Sequence, residues 1–250
     1  MPAYLRFCEV NKMLEVKKFA GNYKEILPLA DVYMRSYNEL SKGYKTKEEM
    51  ALYTKFSFIK KLEGWAINQE KGNEPFIYVL HQNGKPCGIM RLNPIPQDYR
   101  KINSELKAKE LENGELDGWR VARNRQIQYT ANPHFDENAL ILNQIYLAPE
   151  SQKQGLGTFF IKNVFQKLQK QGYDQFIVEY NDNNANGKKF HEDVLCAKKI
   201  AHTSDFDHIT SKDAKTEFCL SPVSIGISRF STVLQNIKTK EKAFTRTVGR

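Results

Sequence analysis

Long apolar runs, signal-like segments and cysteine pairs are all missing from this chain of 250 residues. No apolar stretch approaches the roughly 18 residues that could cross a bilayer, and the first residues lack the apolar core of a secretory signal. The four cysteines, Cys8, Cys87, Cys196 and Cys219, show no C-x-x-C spacing, so neither a zinc site nor a dense disulfide framework is predicted. We therefore expect a cytoplasmic protein with reduced thiols, no bound metal and no membrane contact.

The composition is that of a packed domain, with 40% hydrophobic and 12% aromatic residues. The 38 Lys and Arg residues against 29 Asp and Glu give a net charge of +9, which permits anionic partners but selects none. Residues 225–250 hold six basic residues and one acidic residue, so we interpret them as a basic tail after a domain of residues 1–224. A homodimer with this tail at its interface is compatible with the sequence. No helix-turn-helix, zinc-finger or RNP-like signature accompanies the charge, which argues against nucleic acid as the partner.

Apolar periodicity divides the first half of the chain into a strand, two helices and a hairpin. The predicted elements are a strand over 14–19, a helix that starts at Pro28 and ends at 41–43, a helix from a Thr46/Glu49 capping box to about Gly64, and strands over 76–81 and 89–92. Asn83-Gly84 between those strands is typical of a type I′ turn. Residues 97–138 are polar and weakly patterned beyond a helix near 104–111, so we interpret them as an insertion and not as a domain.

The second half carries the clearest strand–helix–strand signal in the chain. Its predicted elements are a strand over 139–147, a helix over 155–170 capped by Gly172, a strand over 176–180, a helix over 187–195, and strands over 199–202 and 217–220. The alternation of strands and helices predicts an α/β domain of mixed α+β type.

A glycine motif, Gln152-Lys153-Gln154-Gly155-Leu156-Gly157, lies between the first of these strands and its helix. A helix N-terminus offers unpaired backbone N–H groups, and glycines let a pyrophosphate approach those donors. No Gly-Lys-Ser/Thr follows, which excludes a P-loop, and Phe160 stands at the third glycine of a dinucleotide fingerprint. A tight strand-to-helix turn without a ligand stays open as the alternative.

Together with Ile145–Glu150 and Thr158, the motif resembles the acetyl-CoA-binding signature of the GNAT superfamily of N-acetyltransferases. Asn184, Gly187 and Phe190-His191 are similar to the second conserved region of that family. The resemblance implies a central mixed sheet that is splayed between its fourth and fifth strands and flanked by helices. In this fold the 97–138 insertion precedes the fourth strand, and the basic tail is a C-terminal extension.

The resemblance also implies a site for acetyl-CoA, the acyl donor. Backbone groups of Tyr146 and Leu147 would hold the pantetheine arm, and Asn184 would contact the cofactor from the other side of the cleft. The N–H groups of the loop would cradle the pyrophosphate, with Lys153 adding charge at the rim. The loop residues are Gln152, Lys153, Gln154, Gly155, Leu156, Gly157 and Thr158.

Direct transfer to a primary amine, of a small molecule or a peptide, is the reaction that the resemblance implies. It needs a base for the ammonium and an acid for the leaving thiolate. His191 stands where the family usually has Tyr, so three possibilities stay open: His191 with a raised pKa, a neighbour such as Tyr180 or Tyr146, or no strong acid. For the base, Glu179 and a water chain to bulk solvent are the candidates.

Two other functions compete with this enzyme. The first is an acyl-CoA-binding or sensing module of the same fold without the chemistry, which the His191 departure and the absence of a carboxylate before the loop favour. The second is a basic nucleic-acid-binding protein, which ranks well behind because it has only the net charge in its support. The sequence does not identify the acceptor amine.

Overall fold

The computed structural model describes residues 13–41, 53–72, 76–94, 136, 138–182, 184–202 and 223–248. The strands are β1 (Leu14–Lys18), β2 (Phe76–Gln82), β3 (Lys85–Pro94), β4 (Leu140–Leu147), β5 (Gln175–Asn181), β6 (Lys198–His202) and β7 (Val223–Arg229). The helices are α1 (Tyr23–Ser41), α2 (Lys55–Glu70), α3 (Leu156–Gln169), α4 (Ala185–Lys189) and α5 (Phe230–Val248), with short turns at Pro149–Ser151 and Phe190–Val194.

One seven-stranded sheet runs in the order β1-β2-β3-β4-β5-β7-β6. Every neighbouring pair is antiparallel except β4 with β5, which are parallel. Helices α1 and α2 cover one face through a core that includes Leu29, Leu62 and Ile77. Helices α3 and α5 cover the other face through Phe165, Phe176 and their neighbours. The mixed, helix-flanked sheet expected from the sequence is therefore confirmed.

The hairpin β2–β3 forms as the sequence predicts. Asn83 and Gly84 have φ angles of 56° and 75°, the pair of positive values that a type I′ turn requires. Strand β2 is buried on both faces over Phe76–His81 because helices cover both faces of the sheet: Tyr78 packs in the core of α3 and α5, and Ile77 in the core of α1 and α2. The predicted strand at 14–19 is β1, which alternates partly buried and exposed residues as an edge strand does.

Helix α1 begins at Tyr23, so the predicted start at Pro28 is wrong. The Asn22 side chain accepts a hydrogen bond from the backbone N–H of Glu25 at 3.1 Å, and the Glu25 carboxylate accepts one from the N–H of Ala20 at 2.6 Å. The first bond caps a donor of the first helical turn, the second holds the segment that leads into the helix, and Pro28 lies inside the helix.

Helix α2 continues past the predicted end at Gly64 to Glu70. Trp65, one residue beyond that glycine, is only 5% exposed, and its burial outweighs the low helix propensity of glycine. After the C-cap Lys71 the chain turns away at Gly72, whose φ of 76° is a conformation that glycine adopts readily. At the other end, Thr54 caps the helix by accepting from the Ser57 N–H at 3.3 Å.

Residues from 225 onward, interpreted above as a basic tail, instead complete the fold, which corrects the boundary at residue 224. Strand β7 pairs with both β5 and β6, so it is an inner strand of the sheet. Helix α5 then packs its apolar side onto the core, where the Phe230 ring stacks on Phe176 at 5.1 Å between centroids. The Thr46/Glu49 capping box, the 217–220 strand, and the insertion up to residue 135 with its 104–111 helix lie outside the described residues.

Candidate functional site

The sheet is splayed between β4 and β5. Only three residue pairs join these strands, and the last is Leu142 with Val178. Beyond it β4 continues along β3 as far as Leu147, while β5 continues along β7 as far as Asn181. A gap therefore opens between the two strands, and the backbone of β4 that borders it has no partner on that side among the described strands.

A β-bulge in β4 lies where this gap begins. Arg91 of β3 is opposite Gln144 and Leu92 is opposite Leu142, so Asn143 is an extra residue of β4. The bulge reverses the alternation of the side chains after it. Leu142 packs toward α3 before the bulge, and Tyr146, which would share that face in a regular strand, packs toward α1 and α2 instead.

The loop after β4 is held by two side-chain amides. Gln152 Nε2 donates to the carbonyl of Leu147 at 3.1 Å, and Gln154 Nε2 donates to the carbonyl of Glu150 at 2.5 Å. The Glu150 carboxylate pairs with the Arg35 guanidinium of α1 at 2.7 Å, which lowers the pKa of Glu150 below its usual range. The loop is thus attached to β4 and to α1 before the next helix begins.

No side chain of the described residues caps the N-terminus of helix α3. The residue before it, Gly155, has a φ of 78°, a left-handed conformation that costs other residues about 1–2 kcal/mol. A Cβ atom at Gly157 would lie 3.3 Å from Leu147 Cδ1, so glycine also lets the helix start lie close to the end of β4. The first N–H groups of a helix lack intrahelical acceptors, so this end of α3 can receive an anion.

The other side of the gap is formed by β5, α4 and the turn that follows α4. Asn184 Oδ1 accepts from the Gly187 N–H at 2.9 Å and so caps α4. A Cβ atom at Gly187 would lie 2.8 Å from the Asn184 side chain, which explains a glycine at this position. The helix predicted over 187–195 is two elements in the structure. Helix α4 ends at Lys189, and Phe190–Val194 form a π-helical turn, in which the Leu195 N–H donates to the Phe190 carbonyl.

His191 lies in this π turn with its ring stacked on that of Tyr180, at 5.1 Å between centroids and an angle of 21°. Its Nδ1 is buried without a hydrogen-bond partner among the described residues. Burial lowers the pKa of His191 to about 4, so the imidazole is neutral at pH 7. The first of the three possibilities for the acid, His191 with a raised pKa, is therefore wrong, because burial lowers this pKa.

The Tyr180 hydroxyl lies within a set of polar groups from β5, α4, the π turn and β7. It donates to Glu192 Oε1 at 3.3 Å, and burial together with that carboxylate raises the pKa of Tyr180 to about 12. Lys188 lies 4.0 Å from the same carboxylate and 3.7 Å from Asp182, which accepts from Ser224 Oγ at 2.7 Å. Tyr180 is therefore a protonated hydroxyl at neutral pH.

Glu179, the sequence candidate for the base, is exposed and lies on the opposite face of β5 from its buried neighbours Val178 and Tyr180. That is the face of α1 and α2, and Tyr146 of β4 points to the same face. We call this face of the sheet, on both strands beside the gap, the acceptor face.

Aromatic rings cover much of the acceptor face. The Tyr33 ring lies 4.5 Å from Phe58, 5.6 Å from Trp65 and 4.7 Å from Tyr146. Burial raises the pKa of Tyr33, so its hydroxyl is also protonated at neutral pH.

Arg91 of β3, with its guanidinium 4.7 Å from the centroid of Trp65, belongs to the same surface, and sequence reasoning missed it. The signal was present. Ile89 two residues earlier is fully buried toward α1 and α2, so the period of two in β3 brings Arg91 to the same side.

Other kinds of site are not found in the part of the chain that the structure describes. No cluster of three or more His, Cys, Asp or Glu side chains there is arranged to hold a metal ion. None of the described helices is long and apolar enough to cross a membrane. Cys87 and Cys196 are free thiols, while Cys8 and Cys219 lie outside the described residues.

No protein-family model matches the sequence, and the search of curated proteins gives no match. Solved structures do match. A polyamine N-acetyltransferase of Drosophila melanogaster, which forms N-acetylagmatine, is 14% identical over 86% of this chain and 99% of its own, with a TM-score of 0.56. The PaiA N-acetyltransferase of Thermoplasma acidophilum, solved with coenzyme A, is 12% identical over 86% and 98%, with a TM-score of 0.55.

A mosquito arylalkylamine N-acetyltransferase-like protein gives 14% identity over 86% of this chain and 99% of its own, with a TM-score of 0.52. At these identities the likeness establishes the fold. The chain has the fold of the GNAT N-acetyltransferases, as the resemblance of its glycine loop led us to expect.

Proposed function

We propose that this protein transfers an acetyl or other short acyl group from acyl-CoA to a primary amine, by direct attack of the amine within a ternary complex. The observation that carries the proposal is the gap between β4 and β5, which borders the uncapped, glycine-rich start of α3. An extended thioester cofactor with a pyrophosphate needs both features, a free strand edge for its amide groups and an anion cradle beside it.

The residues of the β4 side fit acetyl-CoA. The backbone of Tyr146 and Leu147 would pair with the pantetheine amides, and the N–H groups from Gln152 to Thr158 would receive the pyrophosphate. Lys153 is exposed at the rim of the loop, where its charge would meet a phosphate. Asn184 would add a contact from the β5 side, although its Oδ1 already caps α4.

Acetyl-CoA supplies an activated thioester. The amine nitrogen forms a bond to the carbonyl carbon, the C–S bond breaks, and the amine proton passes to a base. Backbone N–H groups of β4 would stabilise the negative charge that develops on the carbonyl oxygen. The amine must arrive neutral, and Glu179 on the acceptor face or a water chain would take its proton.

For the leaving thiolate we propose His191 as a neutral hydrogen-bond donor. A neutral imidazole still carries one N–H, and burial keeps it in that form. Tyr180, stacked against His191 and protonated at neutral pH, is the alternative donor. Neither group would need to release its proton fully in order to stabilise a developing negative charge.

A non-catalytic CoA-binding module remains the second candidate, and one observation favours it. The group at the usual acid position, His191, has a pKa of about 4, so at pH 7 almost none of it is in the imidazolium form that could transfer a proton fully. A sensor would need the β4 side of the gap, which would bind CoA, and would not need a proton donor or a base.

The test is release of free thiol from acetyl-CoA, followed with a thiol-reactive dye in the presence of a panel of primary amines. We expect thiol release that depends on one class of amine and saturates with it. Tight CoA binding by calorimetry together with thiol release no faster than background for every amine would favour the sensor and reject the enzyme.

A further inference from the structure

Helix α5 donates hydrogen bonds to the π turn that carries His191. Asn236 Nδ2 lies 3.0 Å from the carbonyl oxygen of Asp193 and 3.5 Å from that of Val194. One turn further along α5, Lys240 Nζ donates to the same Asp193 carbonyl at 3.0 Å. Because residues four apart share one face of a helix, a single face of α5 meets the end of the π turn.

These donors meet a need that the π turn itself creates. The last carbonyls of a helical turn lack N–H partners within that turn, and π geometry is rare, so contacts from other elements must support it. The bond from the Leu195 N–H to the Phe190 carbonyl, at 3.1 Å, closes the turn at its beginning. The carbonyls at its end, those of Asp193 and Val194, receive donors from α5.

The residue that follows Leu195 is held by the same amide. Cys196 has a φ of 52°, a left-handed conformation that few residues other than glycine adopt. Asn236 Nδ2 lies 3.2 Å from Cys196 Sγ, and the next N–H, that of Ala197, donates to the His191 carbonyl at 2.9 Å. The backbone of His191 is therefore bonded to the segment that α5 holds.

Helix α5 is fixed in turn to α3, whose first residues border the gap. The Phe230 and Phe165 rings lie 4.3 Å apart between centroids, and Lys162 Nζ lies 2.9 Å from Glu241 Oε1. Phe230 is the first residue of α5 and Glu241 lies about three turns later, so these contacts hold α5 against α3 at two separate levels. The position of the π turn relative to the start of α3 is thereby set through α5.

We propose that α5 positions the candidate proton donor, with Asn236 and Lys240 as positioning residues that hold the π turn and keep the His191 ring stacked on Tyr180 beside the gap. The two rings lie 5.1 Å apart between centroids. Residues 230–241 would thus serve the chemistry without touching either substrate. The kinetic test of this inference rests on the proposed acyl transfer, whereas the environment of the ring can be measured without turnover.

The choice of the first variant depends on the ionisable groups around the π turn. They are Tyr180 and Asp182 of β5, Lys188 of α4, Glu192 and Asp193 of the turn, Cys196 after it, and Lys240 of α5. Asn236 is neutral, so Asn236→Leu alters none of these charges. Loss of its hydrogen bonds should change the pKa of His191 only by admitting water to the ring.

The first experiment follows the titration of the His191 imidazole by NMR in the full chain, with the signal assigned by its loss in His191→Phe. We expect a pKa of about 4 in the unmodified protein and a value at least about one unit higher in Asn236→Leu, toward the ordinary 6.5. Gln235→Leu, the same change at the exposed neighbouring position, should leave the pKa at about 4. An unchanged pKa in Asn236→Leu, or an equal rise in Gln235→Leu, would overturn the inference.

The second experiment is a double-mutant cycle on turnover, measured as thiol release. Asn236→Leu should lower kcat about tenfold, as expected for His191→Phe, and leave CoA affinity within about twofold. In a protein that already carries His191→Phe it should cause no further loss, because the group that it positions is gone. Asn236→Gln, which keeps an amide donor, should retain part of the activity. Equal losses from Asn236→Leu with and without His191 would leave Asn236 a purely structural role and overturn the inference.

Lys240 supplies a second variant, should Asn236→Leu not fold. Its side chain is exposed, so Lys240→Met removes a donor with little effect on packing, and it should lower kcat about threefold because Asn236 still donates to the same carbonyl. Lys238→Met, at an exposed lysine of the same helix, is the matched control and should not change kcat. Equal kcat values for the two lysine variants would remove Lys240 from the positioning role.

The two experiments separate this inference from the proposed function. Thiol release for no amine, in a protein whose His191 pKa rises in Asn236→Leu, would reject the acyl transfer and leave the positioning of His191 by α5 standing.

Discussion

The two sides of the gap are built from different kinds of contact. The β4 side, residues 143–158, rests on aromatic packing around Tyr33 and on backbone groups of the loop. The β5 side, residues 178–197, is held by polar and charged side chains such as Asp182, Glu192 and Lys188. A site that must hold a large cofactor in one geometry gains from the first kind, while proton handling needs groups of the second kind. The comparison implies that changes to each side should affect different steps.

The largest effect is expected at Gly155. Gly155→Val forces a β-branched residue to a φ of 78° and should displace the N–H groups at the start of α3. Strain and lost hydrogen bonds of roughly 3 kcal/mol together should weaken CoA binding about a hundredfold in calorimetry. Gly64→Ala is the control, since a Cβ there meets no atom of the described residues within 4 Å, and it should leave binding unchanged. Normal CoA affinity in Gly155→Val would show that the loop is only a tight turn.

A smaller effect, on stability, should come from His191 on the β5 side. Its pKa in the folded protein, about 4, lies below its ordinary value of 6.5, so between these values the unfolded chain binds the extra proton. Acidification from pH 7 to pH 5 should therefore lower the free energy of unfolding by about 2 kcal/mol through this group. The loss should be absent from His191→Phe in urea titrations at the two pH values. The same pH dependence in both proteins would mean that the imidazole is not buried in solution.

The smallest of the three effects is expected on turnover. His191→Phe removes the proposed donor and should lower kcat about tenfold while it leaves CoA affinity within about twofold. His191→Tyr, which restores the residue usual in the GNAT family, should recover part of the loss. An unchanged kcat in His191→Phe would transfer the role to Tyr180 or remove the need for a donor, and reduced CoA binding would break the separation between the two sides.

The order of the elements was predictable because long helices and buried strands have strong periodicity. The loop from Gln152 to Gly157 was predictable because its glycines allow backbone conformations and close approaches that other residues do not. The bulge at Asn143 was not predicted. The apolar residues on one face of β4 shift from even positions (Leu142) to odd positions (Ile145) across it, but Ile141 and Tyr146 on the other face are also apolar, so the sequence shows no clear change of pattern. The π turn around His191 was missed because its side chains have the composition of an ordinary helix.

The acceptor face illustrates a different limit. Arg91 and Trp65 come from separate parts of the chain, and nothing local connects them before the sheet and α2 have packed. The place of residues 225–248 in the fold was also not predicted from the periodicity of the sequence. Their basic residues suggested a solvated tail, whereas Phe230, Val233 and Ile237 are buried in the core.

Strand β7 has a consequence for the way in which the protein is made. Strand β6 is synthesised before β7, yet its only sheet partner among the described strands is β7, which also pairs with β5. Until the ribosome has released β7, the backbone donors and acceptors of β6 and of one edge of β5 have no sheet partners and are open to other chains. The half of the sheet that carries His191 should therefore be the last to assemble during translation, and the nascent chain should be most prone to aggregate just before that point.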